Sequence, residues 1–285
     1  MDSPLPRAVW LRQSIFGWAL ALTAPFALAG ADDSFFDLDL NEVLNLEITS
    51  VSKKPQTVSR AAAAVFVITA DDIRRSGATT IPDVLRMAPG IFVGQISASS
   101  WAISSRGASG RFTNKLLVLI DGRSVYTPTF SGVYWDVQDM VLADIERIEI
   151  IRGPGAALWG ANAVDGVINI ISKSAAATQG GLLTVNAGKE ERATAALRYG
   201  GKIGDIGHWR IYGKGFDRDA SVVESTGKPG NDDWRQQRLG FRTDLVPGNN
   251  DSLTIQGDIY RGRHGDSSQL NFLVPPYHSF LGTDQ

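Results

Sequence analysis

Between residues 183 and 259 apolar and polar side chains take turns at every second position, again and again. Leu183, Val185 and Ala187 alternate with Thr184 and Asn186, and Ala195, Leu197 and Tyr199 with Thr194, Ala196 and Arg198. Trp209, Ile211 and Gly213 alternate with Arg210, Tyr212 and Lys214. Leu239, Phe241 and Leu245 alternate with Arg238, Arg242 and Asp244, and Leu253, Ile255 and Ile259 with Thr254, Gln256 and Asp258. Successive side chains of a strand point to opposite faces, so the pattern predicts five strands, each with one apolar and one strongly polar face. A soluble sandwich also alternates. Two features favour a transmembrane barrel: Arg, Lys, Asp and Gln lie deep inside the segments, which suits a wet lumen, and segment lengths sit near the roughly 9 to 11 residues of a tilted membrane strand. The connections at 188–192, 203–207 and 247–251 are modest or short, whereas 220–233 is long and polar.

Composition narrows the remaining classes. The 28 Lys plus Arg nearly balance 30 Asp plus Glu, for a net charge of -2. That argues against electrostatically driven binding of nucleic acid or wholesale attraction to an anionic membrane surface. There is no cysteine, which removes disulfide scaffolds, thiolate catalysis and Cys-ligated metal sites. No apolar run reaches the length of a membrane helix.

The first 29 residues read as a secretory signal peptide. Arg7 and Arg12 precede a mostly apolar stretch at 14–24, and small residues follow in Ala27-Leu28-Ala29-Gly30-Ala31. The alternative is an uncleaved anchor helix, against which stand the shortness of the stretch, Pro25, and Asp32-Asp33 directly after it. Residues 30–54 read as a polar leader that ends in a short extended segment.

Residues 55–173 read as a small α+β globule. Strands are expected at 64–68, 116–120, 145–151 and 167–171. Thr69-Ala70-Asp71-Asp72 has the form of a capping box opening a helix that Gly77 can close, and Thr80-Ile81-Pro82-Asp83 repeats the signal before Pro89-Gly90. Loops at 95–114 and 124–136 are rich in Ser, Gly and aromatic residues.

Catalytic motifs fail on inspection. The spacing from Gly155 to Gly160 matches a phosphate-binding loop, but Ala161-Asn162 stands where Lys-Ser/Thr is required. The segment at 107–111 departs from the nucleophile-elbow pattern at Arg111, and His208, His264 and His278 lie in the distant strand region. Three scattered histidines without cysteine form no expected metal site. No enzyme and no cofactor is expected.

The segments 46–54, 65–77, Leu116-Leu117-Val118-Leu119-Ile120-Asp121-Gly122-Arg123 and the run from Glu149-Ile150-Ile151-Arg152-Gly153-Pro154 through Gly166-Val167-Ile168-Asn169-Ile170-Ile171 closely resemble the plug of a TonB-dependent outer-membrane receptor. The resemblance implies an α+β plug domain at 55–173, followed at 174–285 by the first five or so antiparallel strands of a roughly 22-stranded transmembrane barrel whose lumen the plug fills. It implies import of a ferric siderophore, cobalamin or haem across the outer membrane, driven by TonB with ExbB and ExbD. Leu46, Glu47, Ile48, Thr49, Ser50, Val51 and Ser52 occupy the TonB-box position, able to add as a strand to a sheet edge of TonB; the other reading is an ordinary first plug strand. Arg106 and Arg152 occupy two Arg-Gly positions that would latch the plug to wall carboxylates; the other reading is solvated loop arginines. Trp101, Tyr126, Phe130 and Tyr134 are expected to touch a metal-chelate ligand. Five strands do not close such a barrel, so the chain is expected to be an incomplete receptor; the alternative is a short periplasmic plug-like protein without a pore.

Overall fold

The computed structural model describes residues 47–48, 56–57, 64–105, 107, 110–153, 159–160, 162–248, 251–271, 275 and 279–284, all within the unit Leu40–Gln285. The signal-peptide segment and Arg106 lie outside these residues, as do Leu46, Thr49, Ser50, Val51 and Ser52.

Two short strands, β1 (Glu47–Ile48) and β2 (Gln56–Thr57), pair antiparallel. Strand β3 (Ala64–Thr69) runs straight into helix α1 (Ala70–Ser76) through a reciprocal cap. The Asp72 amide donates to Thr69 Oγ1 at 3.2 Å and the Thr69 amide to the Asp72 carboxylate at 2.8 Å, and Gly77 ends the helix at φ 69°. Thr80 caps α2 (Ile81–Leu85) from one side, its hydroxyl accepting from the Asp83 amide at 3.1 Å. The capping signals in the sequence therefore fall where the helices begin.

Strands β4 (Ile91–Gln95) and β5 (Trp101–Ser105) form a separate hairpin. This differs from the loop expected over 95–114: all five residues of β5 are buried, so neither face of β5 meets water. A strand buried on both sides carries no alternation to betray it. Strands β6 (Leu116–Ile120), β7 (Arg123–Ser124), β8 (Ile145–Arg152) and β9 (Gly166–Ser172) join β3 in a sheet ordered β3-β8-β9-β6-β7, with β6 and β9 parallel. Ile68, Val118, Ile148, Ile150, Ile168 and Ile170 fill one face, packed on Ile73, Val84 and Leu85 of the helices.

After a 3-10 turn at Ala176–Thr178 the chain becomes an antiparallel meander. Strands β10 (Gly180–Asn186), β11 (Glu191–Ile203) and β12 (Gly207–Arg218) come first. The long connection then carries the small hairpin β13 (Val222–Val223) and β14 (Lys228–Pro229) before β15 (Trp234–Leu245) and β16 (Leu253–His264). The sheet order is β10-β11-β12-β15-β16, and β17 (Asp266–Asn271) and β18 (Ser279–Asp284) form a last hairpin. The residues read as apolar, among them Leu183, Leu197, Ile211, Leu239 and Ile259, lie exposed on one face. Arg210, Lys214, Gln236 and Arg238, from the other face, are buried. The plug lies against that polar face. We call the meander the wall and refer to its two ends by the connections they carry, the long one at 219–233 and the short one at 246–252.

Candidate functional site

Plug and wall meet through charge, and the wall supplies most of the cations. Period-two geometry brings Arg198 of β11 and Arg210 and Lys214 of β12 onto the inner face. Arg198 pairs with the buried carboxylate of Asp144, whose other oxygen lies 3.9 Å from Arg210 Nε. Arg210 also donates to the Lys173 carbonyl at 2.7 Å. Lys214 bonds Asp139 at 2.6 Å and the Met140 carbonyl at 3.0 Å. On β15, Arg238 donates to the Val137 carbonyl and to Asp258, and Gln236 donates to the Asp136 carbonyl at 3.1 Å. Nearer the short-connection end Arg242 donates to Ser172 Oγ at 2.8 Å and lies 3.8 Å from Asp121. The Ala175 amide there donates to Asp244 at 2.6 Å.

Sequence reasoning placed these cations on a polar face but did not find their partners, and it expected the opposite polarity of latch, with plug arginines reaching wall carboxylates. Of the two arginines named for that role, Arg106 lies outside the described residues. Arg152 Nη1 donates at 3.2 Å to the Pro89 carbonyl within the plug, and its buried Nε has no hydrogen-bond partner among the described residues. A cavity of about 350 Å³ runs along the seam, lined by Asp121, Asp139, Asp144, Arg210, Arg238 and Arg242 among others. Asp139 Oδ2 and the Nε atoms of Arg210 and Arg238 have no hydrogen-bond partner among the described residues, so the seam has room for water beside its direct pairs.

At the long-connection end the plug presents aromatic rings. Phe130 stands between Phe112 and Tyr134, with centroids 5.0 and 4.8 Å away and both contacts edge-on. The turn that displays Phe130 is tight: the Thr127 amide donates to the Gly132 carbonyl at 2.8 Å and Ser131 sits at φ 57°. A Cβ on Gly132 would lie 2.1 Å from the Phe130 ring, so only glycine fits beneath it. Phe112 is 59% exposed and Tyr134 36%. Arg111 stacks 5.7 Å from the Phe112 centroid and pairs with Asp266 at 3.0 Å. Burial pushes the nearby Asp136 carboxyl up, against the opposing pull of His264 and Arg111.

The other two nominated aromatics face inward. The Tyr126 hydroxyl donates to the Leu116 carbonyl at 2.9 Å, and burial pushes the phenol up to about 12. Trp101 is 3% exposed; it packs edge-on against Trp234 of the wall at 5.5 Å, and Trp234 in turn against Phe216 at 4.5 Å. Arg218 lies over both wall rings, 5.1 and 5.2 Å from their centroids. Of the segment read as a TonB box, the backbone of Glu47 and Ile48 is described, paired with Thr57 and Gln56.

The plug is thus seated on the charged face of a sheet whose other face carries a band of exposed apolar side chains. The comparisons agree. Residues 57–167 match the family described as TonB-dependent Receptor Plug Domain, so this segment is similar to the plug of such receptors. The vitamin B12 transporter BtuB of Vibrio cholerae is 29% identical over 198 residues, which cover 69% of this chain and 31% of that protein. The transporter of the same name from Photobacterium profundum is 26% identical over 283 residues, covering 93% and 44%. Among solved structures, the ferripyoverdine receptor of the outer membrane of Pseudomonas aeruginosa superposes with a TM-score of 0.60 at 18% identity, over 75% of this chain and 27% of that one. The likeness at that identity is one of fold. The chain spans less than half the length of these relatives.

Proposed function

We propose that this chain supplies the plug and the first wall strands of an outer-membrane receptor that imports a metal-chelate ligand, a cobalamin, ferric siderophore or haem, using energy delivered by TonB with ExbB and ExbD. The observation that carries the reading is the seating of the plug, held to the wall by charged and hydrated contacts while the wall's outer face is apolar. Such a seam holds the lumen shut at rest and lets go under load, because most of its cations have a second acceptor at hand. The outer membrane offers no nucleotide, so the work has to be transmitted mechanically through the leader, with Leu46 to Ser52 as the strand that TonB grips by main-chain hydrogen bonds. The export signal at 1–29 and the latch role of Arg106 and Arg152 belong to the same reading. Phe130 and Tyr134, together with Phe112, are the rings placed to meet a flat or aromatic ligand from outside; Tyr126 supports the strand beneath them.

The test is uptake in a deletion strain carrying the intact receptor, with growth on single cobalamin or iron sources beside its parent. Cobalamin comes first, since the curated relatives bear that name. A proline at Ile48 is expected to abolish energised uptake while ligand binding persists. Loss of binding as well, or unimpaired uptake, overturns the assignment of this segment.

A further inference from the structure

A second cavity, of about 500 Å³, lies between plug and wall at the long-connection end. Thr79, Asp83 and the turn of the β4–β5 hairpin line it from the plug; Glu190, Glu191, Arg218 and Asp219 line it from the wall. Four of its lining residues carry a buried polar atom without a hydrogen-bond partner among the described residues: Ser97 Oγ, Trp101 Nε1, Glu191 Oε1 and Arg218 Nε. Trp101 is 97% buried by its 3% exposure, and an indole N–H enclosed to that degree is ordinarily paired. Unpaired polar atoms gathered around one space mark a place for a guest.

The chemistry of the space selects the guest. Four carboxylates line it; Asp83 is paired with Arg86 at 3.2 Å and Asp219 with Arg192 at 2.7 Å, which leaves Glu190 and Glu191 facing one guanidinium of the lining. That guanidinium, Arg218, is already engaged by Glu191 Oε2 at 2.9 Å and by the Phe216 and Trp234 rings, so the balance favours a cation. Among the described residues no group of carboxylates and histidines converges as a metal site, and the Trp101 N–H calls for an acceptor oxygen that a bare ion lacks. Ile96 and Val222 add apolar lining that water does not use. We propose that this cavity binds a small organic cation, an ammonium or guanidinium group carried beside a carbonyl or hydroxyl oxygen. The cationic N–H groups meet Glu191 Oε1 and Ser97 Oγ, and the oxygen accepts from Trp101 Nε1.

The site is held ready before any guest arrives. The buried Asp232 carboxylate accepts from the Ala98 amide of the plug at 2.7 Å and from the Ser221 amide and hydroxyl of the wall at 2.7 and 2.6 Å. It thereby fixes the two sides of the cavity to each other, which lowers the ordering cost of binding. Because the lining comes from both bodies, the site exists only while the plug is seated. A guest therefore favours the seated state, and any motion that unseats the plug dismantles the site and releases it.

The inference goes beyond the transport reading and is tested without it. The intact receptor in detergent, labelled with fluorinated tryptophan, is titrated with argininamide, which carries a guanidinium, an ammonium and an amide carbonyl. One tryptophan signal, the one missing in Trp101→Phe, is expected to shift saturably. Glu191→Gln, which removes a charge-assisted hydrogen bond, is expected to weaken binding about tenfold, and Ser97→Ala to weaken it less. Citrate, an anion, is expected to leave the signal in place. A cavity that holds water only gives no saturable shift and overturns the proposal. So does an equal response to citrate, or an affinity unchanged in Glu191→Gln while the other tryptophan signals report an intact fold. The titration needs neither TonB nor the transported ligand, so its failure and a failure of uptake are separate results.

Discussion

Two guanidinium groups from the wall, Arg198 and Arg210, converge on one plug carboxylate, Asp144, and all three side chains are almost fully enclosed. Removing the carboxylate leaves two buried cations facing each other, and breaking a buried pair from one side costs about 3–5 kcal/mol. Asp144→Asn is therefore expected to lower the unfolding free energy from a denaturant titration of the receptor by that order, and adding Arg198→Leu should recover part of the loss through a measurable coupling. A loss under about 1 kcal/mol, the ordinary effect of a surface change, would mean that the seam does not hold the plug. Tyr126 makes a pH prediction. A phenol held above its ordinary value of about 10 favours the folded state below that pH, and this advantage is lost as pH rises toward 12. Tyr126→Phe is expected to flatten that alkaline limb and to cost about 1 kcal/mol at neutral pH for the lost bond to Leu116; an unchanged slope in a denaturation series counts against it. Residues whose partners lie three positions away, as Thr69 and Asp72 do, were legible in the sequence because the geometry is local. Asp144 and Arg198 are 54 positions apart, and nothing in a single sequence joins them.

At the scale of elements, legibility followed exposure. The wall strands announce themselves because one face of each is apolar and the other charged, whereas β5 is enclosed on both faces and reads as nothing in particular. Glycine carries a second kind of information that the sequence hides. On β11 a Cβ at Gly200 would lie 2.4 Å from the Thr178 carbonyl, where the 3-10 turn leaving the plug crosses the strand, while at Gly181 on β10 the nearest atom is 3.9 Å away. Gly200→Ala is accordingly expected to push the turn off the wall and to cost about 1–3 kcal/mol, with faster proteolysis in 174–179. Gly181→Ala should change neither thermal midpoint nor cleavage. Equal behaviour of the two variants would show that the turn is not anchored by this close approach.

For the whole molecule, the two faces of the wall impose opposite demands, and the same substitution distinguishes them. On the outer face Leu183, Leu197, Ile211, Leu239 and Ile259 are each more than half exposed, a contiguous apolar surface of the kind that water-soluble monomers avoid. Facing hydrocarbon it is stabilising, and a lysine near the bilayer midplane costs roughly 2–4 kcal/mol. Leu239→Lys is therefore expected to reduce the amount of receptor assembled in outer membranes and to lower its thermal midpoint in lipid. Thr243→Lys on the same face of β15, nearer the short connection where lysine can reach the headgroups, should be tolerated far better. On a lipid-facing wall the penalty follows depth along the strand; on a wall covered by protein it would follow the packing at each position instead. Quantifying membrane-inserted receptor for the two variants separates these cases, and equal, native-level assembly of both would remove the bilayer from this face and the membrane reading with it.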